Sequence, residues 1–188
     1  MNFRLFLVSG CLLALAVGCG EPRPEGMPEL YPATITVMQD GSPLPGAAVT
    51  LLPQDTALAR WPAGGITDSS GKVAVHTYST YAGAPAGTFK VTVSKTTTEG
   101  DPRPTHPGAN ATAEQLRAYD RAMKTGKFEV FQVVAAEHRM ANTTKLSIDV
   151  TSSGPNEFTL DVGPAVKEKE VNASASARST EEYRPMGE

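Results

Sequence analysis

Residues 87–95 read GTFKVTVSK, and apolar and polar side chains alternate along them. Phe89, Val91 and Val93 fall on one face of an extended chain, and the residues between them fall on the other face. This alternation predicts a β-strand with one face in a hydrophobic core and the other in solvent. Similar β-type runs occur at 33–38, 47–52, 72–77, 128–135, 144–150 and 158–162. Short runs of this kind with turn residues between them predict an all-β domain.

The inward-facing residues of these runs form the predicted core. They are aliphatic or aromatic and comprise Ile35, Val37, Val49, Leu51, Val73, Val75, Phe89, Val91, Val93, Leu146, Ile148, Phe158 and Leu160. Asp40-Gly41 and Asp68-Ser69-Ser70-Gly71 are turn signals between runs, because glycine adopts positive φ without steric cost. We expect these strands to pack as an antiparallel β-sandwich.

One segment between the later strands has helical periodicity. Thr112 and Gln115 have the spacing of a capping box, in which each side chain accepts a hydrogen bond from the other residue's backbone. Apolar residues then recur at helical spacing, and Gly126 is a stop signal. These features predict a short helix near 112–125, inside a polar insertion that begins at Thr96.

The N-terminus has the features of an export signal. Arg4 is the only charged residue before Glu21, and an apolar stretch follows it from 5 to 17. The stretch ends in LAVGC at 15–19, which resembles the lipobox of bacterial lipoproteins. The resemblance implies that the thiol of Cys19 takes a diacylglycerol, a palmitate-type lipid anchor, before the signal peptide is cut.

These patterns divide the chain into four parts. We predict a lipoprotein-type signal peptide (1–18), a lipidated tether rich in Pro, Gly and Glu (19–32), a β-sandwich domain (33–162) and a disordered polar tail (163–188). Cys11 leaves with the signal peptide and Cys19 is acylated, so the mature domain keeps no thiol for a disulfide. The expected location is the bacterial cell envelope, in the outer membrane or at the periplasmic face where two membranes are present.

Three segments between residues 40 and 93 resemble a family pattern. They read DGSPLPGAAVTL (40–51), TDSSGK (67–72) and GAPAGTFKVTV (83–93). Their order and spacing resemble the carboxypeptidase regulatory-like, transthyretin-like domains of bacterial secreted and lipid-anchored proteins, and 143–160 resembles the end of that domain. The resemblance implies an antiparallel Greek-key β-sandwich of about seven strands, transthyretin-like or prealbumin-like, with one short helical insertion.

Residues with catalytic or metal-binding chemistry do not cluster along the sequence. His76, His106 and His138 lie far apart, so the zinc patterns H-x-H and H-E-x-x-H are absent. Two enzyme families share this kind of fold, and the chain lacks the early-strand histidine of the hydroxyisourate hydrolases and the His-x-His pair of the intradiol dioxygenases. We therefore expect no enzyme activity, no cofactor and no metal.

The net charge of −3, from 17 Lys+Arg and 20 Asp+Glu, argues against a nucleic-acid partner, which requires a clustered basic face. We expect a membrane-anchored module that contacts an envelope protein or a glycan through edge strands, loops or the 97–126 insertion. The alternative is a small-molecule or carbohydrate carrier with Trp61, Tyr78 and Tyr81 as its aromatic rim, unless Trp61 covers one end of the core. A hydrolase of the transthyretin-like fold is a more distant alternative.

Overall fold

The computed structural model describes residues 22–170, of which 40% lie in strands and 13% in helices, so the predicted all-β class is confirmed. The strands are β1 (Leu30–Tyr31), β2 (Ala33–Gln39), β3 (Ser42–Pro43), β4 (Ala48–Pro53), β5 (Ala63–Ile66), β6 (Lys72–Ala74), β7 (His76–Thr77), β8 (Tyr81–Ala82), β9 (Ala84–Pro85), β10 (Gly87–Ser94), β11 (Thr96–Gly100), β12 (Phe128–Gln132), β13 (Ser147–Val150), β14 (Asn156–Asp161) and β15 (Glu168–Lys169). The helices are α1 (Ala113–Thr125), α2 (Ala136–Arg139) and a 3-10 turn at Thr56–Leu58. Neither α1 nor α2 is long and apolar enough to cross a membrane.

Within the described range the strands pair in four sheets. The largest sheet has the order β13-β10-β4-β5-β7-β8, and the second has the order β14-β2-β3 with β6 also paired to β2. A three-stranded sheet has the order β11-β12-β15, and β1 pairs with β9. One pair, β14 with β2, is parallel, which corrects the prediction of a purely antiparallel fold. The chain crosses from β13 in the largest sheet to the second sheet and arrives beside β2 in the same direction.

A single hydrophobic cluster takes side chains from both of the larger sheets. All predicted core residues are buried except Leu146 and Phe158, which pack against the cluster while partly exposed. Ile35 from the second sheet and Phe89 and Val91 from the largest sheet have no accessible surface. The predicted core is therefore correct in its composition and in the inward face of each strand.

The run predicted as one strand at 72–77 contributes to both larger sheets. Its first part, β6, pairs with β2, and its second part, β7, pairs with β5. Val75 lies between the two parts, where its N–H donates to the carbonyl of Ala33 (2.9 Å) and its carbonyl accepts from the N–H of Gly83 (2.8 Å). This change of sheet ties the two layers of strands together at one corner.

Thr67 joins two of the segments that carry the family resemblance. Its buried hydroxyl donates to the carbonyl of Leu44 (2.6 Å) and accepts from the N–H of Ala47 (2.8 Å). The backbone N–H of Thr67 also donates to the carbonyl of Ala47 (2.9 Å). Thr67, which directly precedes the turn at 68–71, therefore also stabilises the turn before β4.

Asp68 closes the turn before β6. Its Oδ1 accepts from the Ser70 hydroxyl (2.7 Å), the Ser70 N–H (2.8 Å) and the Lys72 N–H (3.0 Å). These bonds, the Ser70 hydroxyl first, lower the pKa of the Asp68 carboxyl. Gly71 completes the turn at φ +73°, and a Cβ there would lie 2.8 Å from Cβ of Pro43.

The insertion contains the predicted helix, which begins at the predicted cap. The Gln115 N–H donates to Oγ1 of Thr112 (3.2 Å), and the Thr112 N–H donates to Oε1 of Gln115 (2.8 Å). Gly126 ends α1 at φ −64°, in extended rather than left-handed backbone. None of the described residues of α1 is buried, so the helix lies on the surface, outside the core.

Strands also occupy three segments that the sequence indicated as loops. The first, 58–65, contains most of β5, and the second, 78–86, contains β8 and β9. The third, 96–111, begins with β11, which pairs with β12 over its whole length. These strands form because neighbouring strands offer hydrogen-bonding partners, although their own residues do not alternate in polarity.

The folded region extends at both ends into segments that the sequence indicated as tether and tail. Before β2, Leu30 is buried in β1 and the carbonyl of Pro22 accepts from the Tyr81 hydroxyl (3.0 Å). After 163, the Ala165 N–H donates to Oδ2 of Asp40 (3.0 Å) and β15 pairs with β12. The predicted signal peptide (1–18), Cys19 and the remainder of the tail (171–188) lie outside the described residues.

Candidate functional site

Trp61 is buried, with only 3% of its surface exposed to solvent. Its ring meets the ring of Tyr78 edge to face, with centroids 5.7 Å apart and planes at 71°. The guanidinium of Arg60 lies 4.7 Å from the centroid of the Trp61 ring. The structure therefore buries Trp61 among Tyr78 and Arg60, outside the main core cluster, and does not place it at an accessible aromatic rim.

Tyr78 is 44% exposed and fixed in orientation. Its N–H donates to the carbonyl of Pro62 (2.9 Å), and its hydroxyl donates to the carbonyl of Arg60 (2.5 Å). Tyr78 and Ser79 both have positive φ, +54° and +59°, which side chains larger than glycine rarely adopt. Such backbone persists only where surrounding contacts hold it, and here two hydrogen bonds and the Trp61 ring do so.

Tyr81 is half-buried on β8, and its hydroxyl is engaged by Pro22. Of the three predicted rim residues, the structure thus brings Trp61 and Tyr78 into ring contact, while Tyr81 binds the segment that leads into β1. Tyr78 alone presents an exposed ring.

A shallow hollow of about 280 Å³ lies beside Tyr78, on the face of β4 and β5 that points away from the core. Ile66, at the end of β5, borders it and is 70% exposed. The backbone of Gly64 and Gly65 contributes to its surface, and none of the described residues that line it is an aspartate or a glutamate. We call this surface, with Ile66 and Tyr78, the Ile66–Tyr78 patch.

A second hollow, of about 330 Å³, lies on the face of the second sheet that points away from the core. Its surface is mainly polar, with threonines from β2 and β14 beside Lys72 and Glu157. These side chains can donate and accept hydrogen bonds to a polar ligand, but each charged group is exposed to solvent.

The strand that opens the insertion is β11, and all five of its residues are exposed. The Asp101 N–H donates to the carbonyl of Lys127 (3.0 Å), and the Val133 N–H donates to the carbonyl of Lys95 (3.0 Å). In an antiparallel pair, hydrogen-bonded residues alternate with residues whose backbone groups point outward. Residues 95, 97, 99 and 101 therefore bond to β12.

It follows that the backbone groups of Thr96, Thr98 and Gly100 point to the outer side of β11. No other strand within residues 22–170 pairs with that side. Natural edge strands are commonly blocked by charged side chains, above all lysine, by proline or by a bulge. The sequence TTTEG has neither lysine nor proline, and β11 pairs with β12 residue by residue without a bulge. Its one charged side chain, Glu99, is paired with Lys167.

The opposite side of this sheet is held by the segment that follows the main domain. Lys169 lies 2.5 Å from Oε1 of Glu129, and Lys167 lies 2.7 Å from Oε1 of Glu99 and 4.5 Å from the ring centroid of Phe131. The hydrogen bond and charge of Lys169 lower the pKa of the Glu129 carboxyl. These contacts stabilise the three-stranded sheet on the side opposite the open edge of β11.

The three histidines do not lie together at one site. Nδ1 of His76 lies 2.9 Å from the carbonyl of Ala74, and the ring of His106 packs against Tyr119 with centroids 5.0 Å apart. Nε2 of His138 lies 3.5 Å from Oε1 of the adjacent glutamate. Over the part of the chain that the structure describes, no three His, Cys, Asp or Glu side chains lie close enough to hold a metal ion together.

Comparison with family models, with curated proteins and with solved structures found no match for this chain. The resemblance of residues 40–93 to carboxypeptidase regulatory-like domains therefore stays a prediction. Two surface features were missed by the sequence analysis, the open edge of β11 and the exposed side chain of Ile66. The three consecutive threonines of β11 favour a strand, but its open edge depends on the order of strands in the sheet.

Proposed function

We propose that this chain is an exported, lipid-anchored protein of the bacterial cell envelope, whose domain binds an envelope protein through the open edge of β11. The domain itself would be a non-catalytic, transthyretin-like β-sandwich of the carboxypeptidase regulatory-like kind. The observation that carries the proposal is the outer side of β11, where the backbone groups of Thr96, Thr98 and Gly100 have no strand partner among the described residues.

The proposed anchor rests on the sequence LAVGC at 15–19. A lipid chain contributes about 0.8 kcal/mol for each CH₂ group that it buries in the membrane. One acyl chain alone binds reversibly, so the two or three chains of a bacterial lipoprotein give stable attachment. Metabolic labelling with a palmitate analogue should mark the wild-type protein and leave Cys19→Ala unmarked. Equal labelling of the two proteins would refute the anchor.

The proposed sandwich is supported by the way the two larger sheets share one core. Side chains from β2 and β14 meet those from β4 and β10 in a single cluster. The change of sheet at Val75 and the crossover from β13 to β14 connect the two larger sheets, as the layers of a sandwich are connected. The hydrogen bonds of Thr67 join two of the three segments that carry the resemblance, 40–51 and 67–72.

Binding at β11 would follow the general mode in which an extended peptide adds a strand to a sheet edge. Backbone hydrogen bonds to Thr96, Thr98 and Gly100 would supply affinity. Side chains on alternate residues of the added strand would supply specificity. The partner expected is therefore a protein with an accessible extended segment, and the position on the predicted 97–126 insertion fits a specificity element.

Thr98→Pro tests this proposal because proline removes the outward N–H without removing a bond to β12. The matched control is Thr98→Val, which keeps the N–H and the shape of the side chain. Proximity labelling in the native envelope should lose a reproducible partner with Thr98→Pro and retain it with Thr98→Val. Amide exchange at Thr98 in the purified wild-type complex should be slower than in the free protein.

Two results would overturn the proposal. One is an unchanged set of labelled partners for Thr98→Pro, measured on a variant whose melting temperature shows that it is folded. The other is fast exchange at Thr98 in the complex, because an added strand must protect that amide.

The carrier alternative has weaker support. Its hollow is shallow, and only Tyr78 among the three predicted aromatic residues presents an exposed ring there. It predicts a glycan-array signal that Tyr78→Ala abolishes while Thr98→Pro leaves it intact.

A further inference from the structure

The open edge of β11 lies on the same side of the chain as β4. Only Lys95 separates β10 from β11, and neither the β10–β4 pairing nor the β11–β12 pairing contains a bulge. The even-numbered residues of β10 bond to the β4 side, where the Gln54 N–H donates to the carbonyl of Thr88 (3.0 Å). The even-numbered residues of β11 are the ones whose backbone groups point outward. The open edge therefore continues the line of β4.

Ala47 closes one end of this edge. β4 begins at Ala48, which lies opposite Ser94, so the residue before it lies beside Lys95. Ala47 is buried, its N–H donates to the Thr67 hydroxyl (2.8 Å), and its carbonyl accepts from the Thr67 N–H (2.9 Å). Because these bonds fix Ala47, it fills the position that a strand added to β11 would reach next on leaving β11.

We call the outer side of β11, closed at one end by Ala47, the β11 slot. An added strand fits this slot only if its chain ends or turns away opposite Thr96. At the other end the backbone turns at Gly100 with φ +90°, and residues 102–112 form no strand. Within the described chain, a strand therefore blocks the slot at one end only.

Two residues of opposite charge flank the β11 slot. Lys95 lies next to the closed end, and Asp101, whose Oδ2 accepts from the Lys127 N–H (3.0 Å), lies next to the other end. Neither Lys95 nor Asp101 forms an ion pair within residues 22–170. An added antiparallel strand brings its C-terminal end to Lys95, whereas a parallel strand brings its N-terminal end there. The charge of Lys95 attracts a free α-carboxylate at the closed end and repels an α-ammonium group.

We propose that the β11 slot binds the C-terminal segment of its partner as an antiparallel strand, with the free α-carboxylate beside Lys95. This inference rests on the proposed function, to which it adds the direction of the bound segment and the position of its end. Backbone hydrogen bonds to Thr96, Thr98 and Gly100 match a segment of the length of β11. Ala47 gives selectivity, because an internal segment of another protein fits only if it turns away at that point.

Synthetic peptides test this orientation on the full-length, isotope-labelled protein. The probe is a heptapeptide of alternating threonine and valine, with a lysine at its N-terminus and a free C-terminal carboxylate. It should shift the NMR signals of the Thr96, Thr98 and Gly100 amides. Amidation of its C-terminus should weaken binding by up to about fivefold, the size of an exposed ion pair. Two residues added at the C-terminus should weaken binding further because Ala47 lies there, whereas two residues added at the N-terminus should not.

Two lysine substitutions give a matched comparison. Lys95→Met should weaken binding of the free acid to the level of the amide, so that the two peptides no longer differ. Lys127→Met removes the same charge from an exposed side chain at the other end of the hairpin, and it should preserve the difference. Melting temperatures check that both variants are folded, and the comparison of acid with amide on the wild type needs no variant. A carboxylate effect that depends on Lys127 instead of Lys95 would indicate a parallel strand and overturn the inference.

The outcomes separate this inference from the proposed function on which it rests. Equal affinity of the acid, the amide and the C-terminally extended peptide overturns the inference and leaves binding at β11 intact. An absence of peptide-induced shifts at Thr98 also overturns it, and the proposed function fails as well if no labelled partner protects that amide. Protection of the Thr98 amide in the protein alone would overturn the inference too. Protection at every protein concentration would assign the slot to residues 171–188, and protection that rises with concentration would assign it to a second copy of the chain.

Discussion

Glu99 and Glu129 lie directly opposite each other in the pairing of β11 and β12, and each carboxylate is met by a different lysine. Lys167 lies 2.7 Å from Glu99, and Lys169 lies 2.5 Å from Glu129. Like charges that face each other across two strands are destabilising without such partners. Lys167 and Lys169 thus offset the repulsion between the two glutamates and allow β11 to pair with β12.

Lys169→Met should raise the pKa of Glu129. The hydrogen bond from Lys169 is the largest cause of the lowered pKa, and its charge adds to the effect. A lowered pKa in the folded state means that the contribution to stability is present above the unfolded pKa and is lost as pH falls through the folded one. NMR titration of the Glu129 side-chain carbon measures the change. Lys167→Met is the control, with a smaller expected shift, and equal pKa values in all three proteins would contradict the assignment.

Val91→Asp should unfold the domain. Val91 has no accessible surface, and a carboxylate placed there would be buried without a partner. The expected loss is several kcal/mol of unfolding free energy. Thr92→Asp makes the same change on the outward face of β10 and should remain folded. Chemical denaturation followed by circular dichroism compares the two, and a wild-type midpoint for Val91→Asp would show that the inward face is wrongly assigned.

Thr67→Val should destabilise the domain although it preserves the shape of the side chain. The hydroxyl is buried, and its removal leaves the Leu44 carbonyl and the Ala47 N–H without this partner. Each buried group left unpaired costs about 1–3 kcal/mol. Thr50→Val, at an exposed position of β4, should have little effect. Equal melting temperatures for the two variants would contradict a bridging role for Thr67.

Gly71→Ala should cost more than Gly41→Ala, although the two glycines have similar positive φ, +73° and +69°. Left-handed backbone costs an ordinary residue about 1–2 kcal/mol, so both variants lose that amount. A Cβ at Gly71 would also lie 2.9 Å from the carbonyl oxygen of Val37, whereas a Cβ at Gly41 meets nothing within 4 Å. The difference in melting temperature between the two variants measures the cost of this steric collision. A larger loss in Gly41→Ala would contradict the close packing of the turn.

The sequence predicted those parts of the fold in which each strand has one buried face. Phe89, Val91 and Val93 alternate with polar residues because β10 pairs on both sides and packs one face in the core. The helix was predictable for a different reason, since the Thr112 capping box is local and does not depend on tertiary contacts.

The parts that were not predicted depend on neighbours distant in sequence. β5 contains two glycines and forms because β4 and β7 lie on either side of it. The residues of β14 give no indication that this strand runs parallel to β2. The candidate surfaces have the same origin, because the burial of Trp61 under Tyr78 and the open side of β11 follow from how strands are ordered.

The hydrogen bond from the Val133 N–H to the Lys95 carbonyl marks where the segment from β11 to β12, which contains the predicted insertion, leaves and rejoins the rest of the domain. Residues 96–132 therefore begin and end at one bonded pair, so the entropy of closing this loop changes only slowly with its length. Evolution can lengthen, shorten or replace such a segment while the core stays as it is. The same pair of residues is an attachment point for grafting a foreign recognition element onto this scaffold.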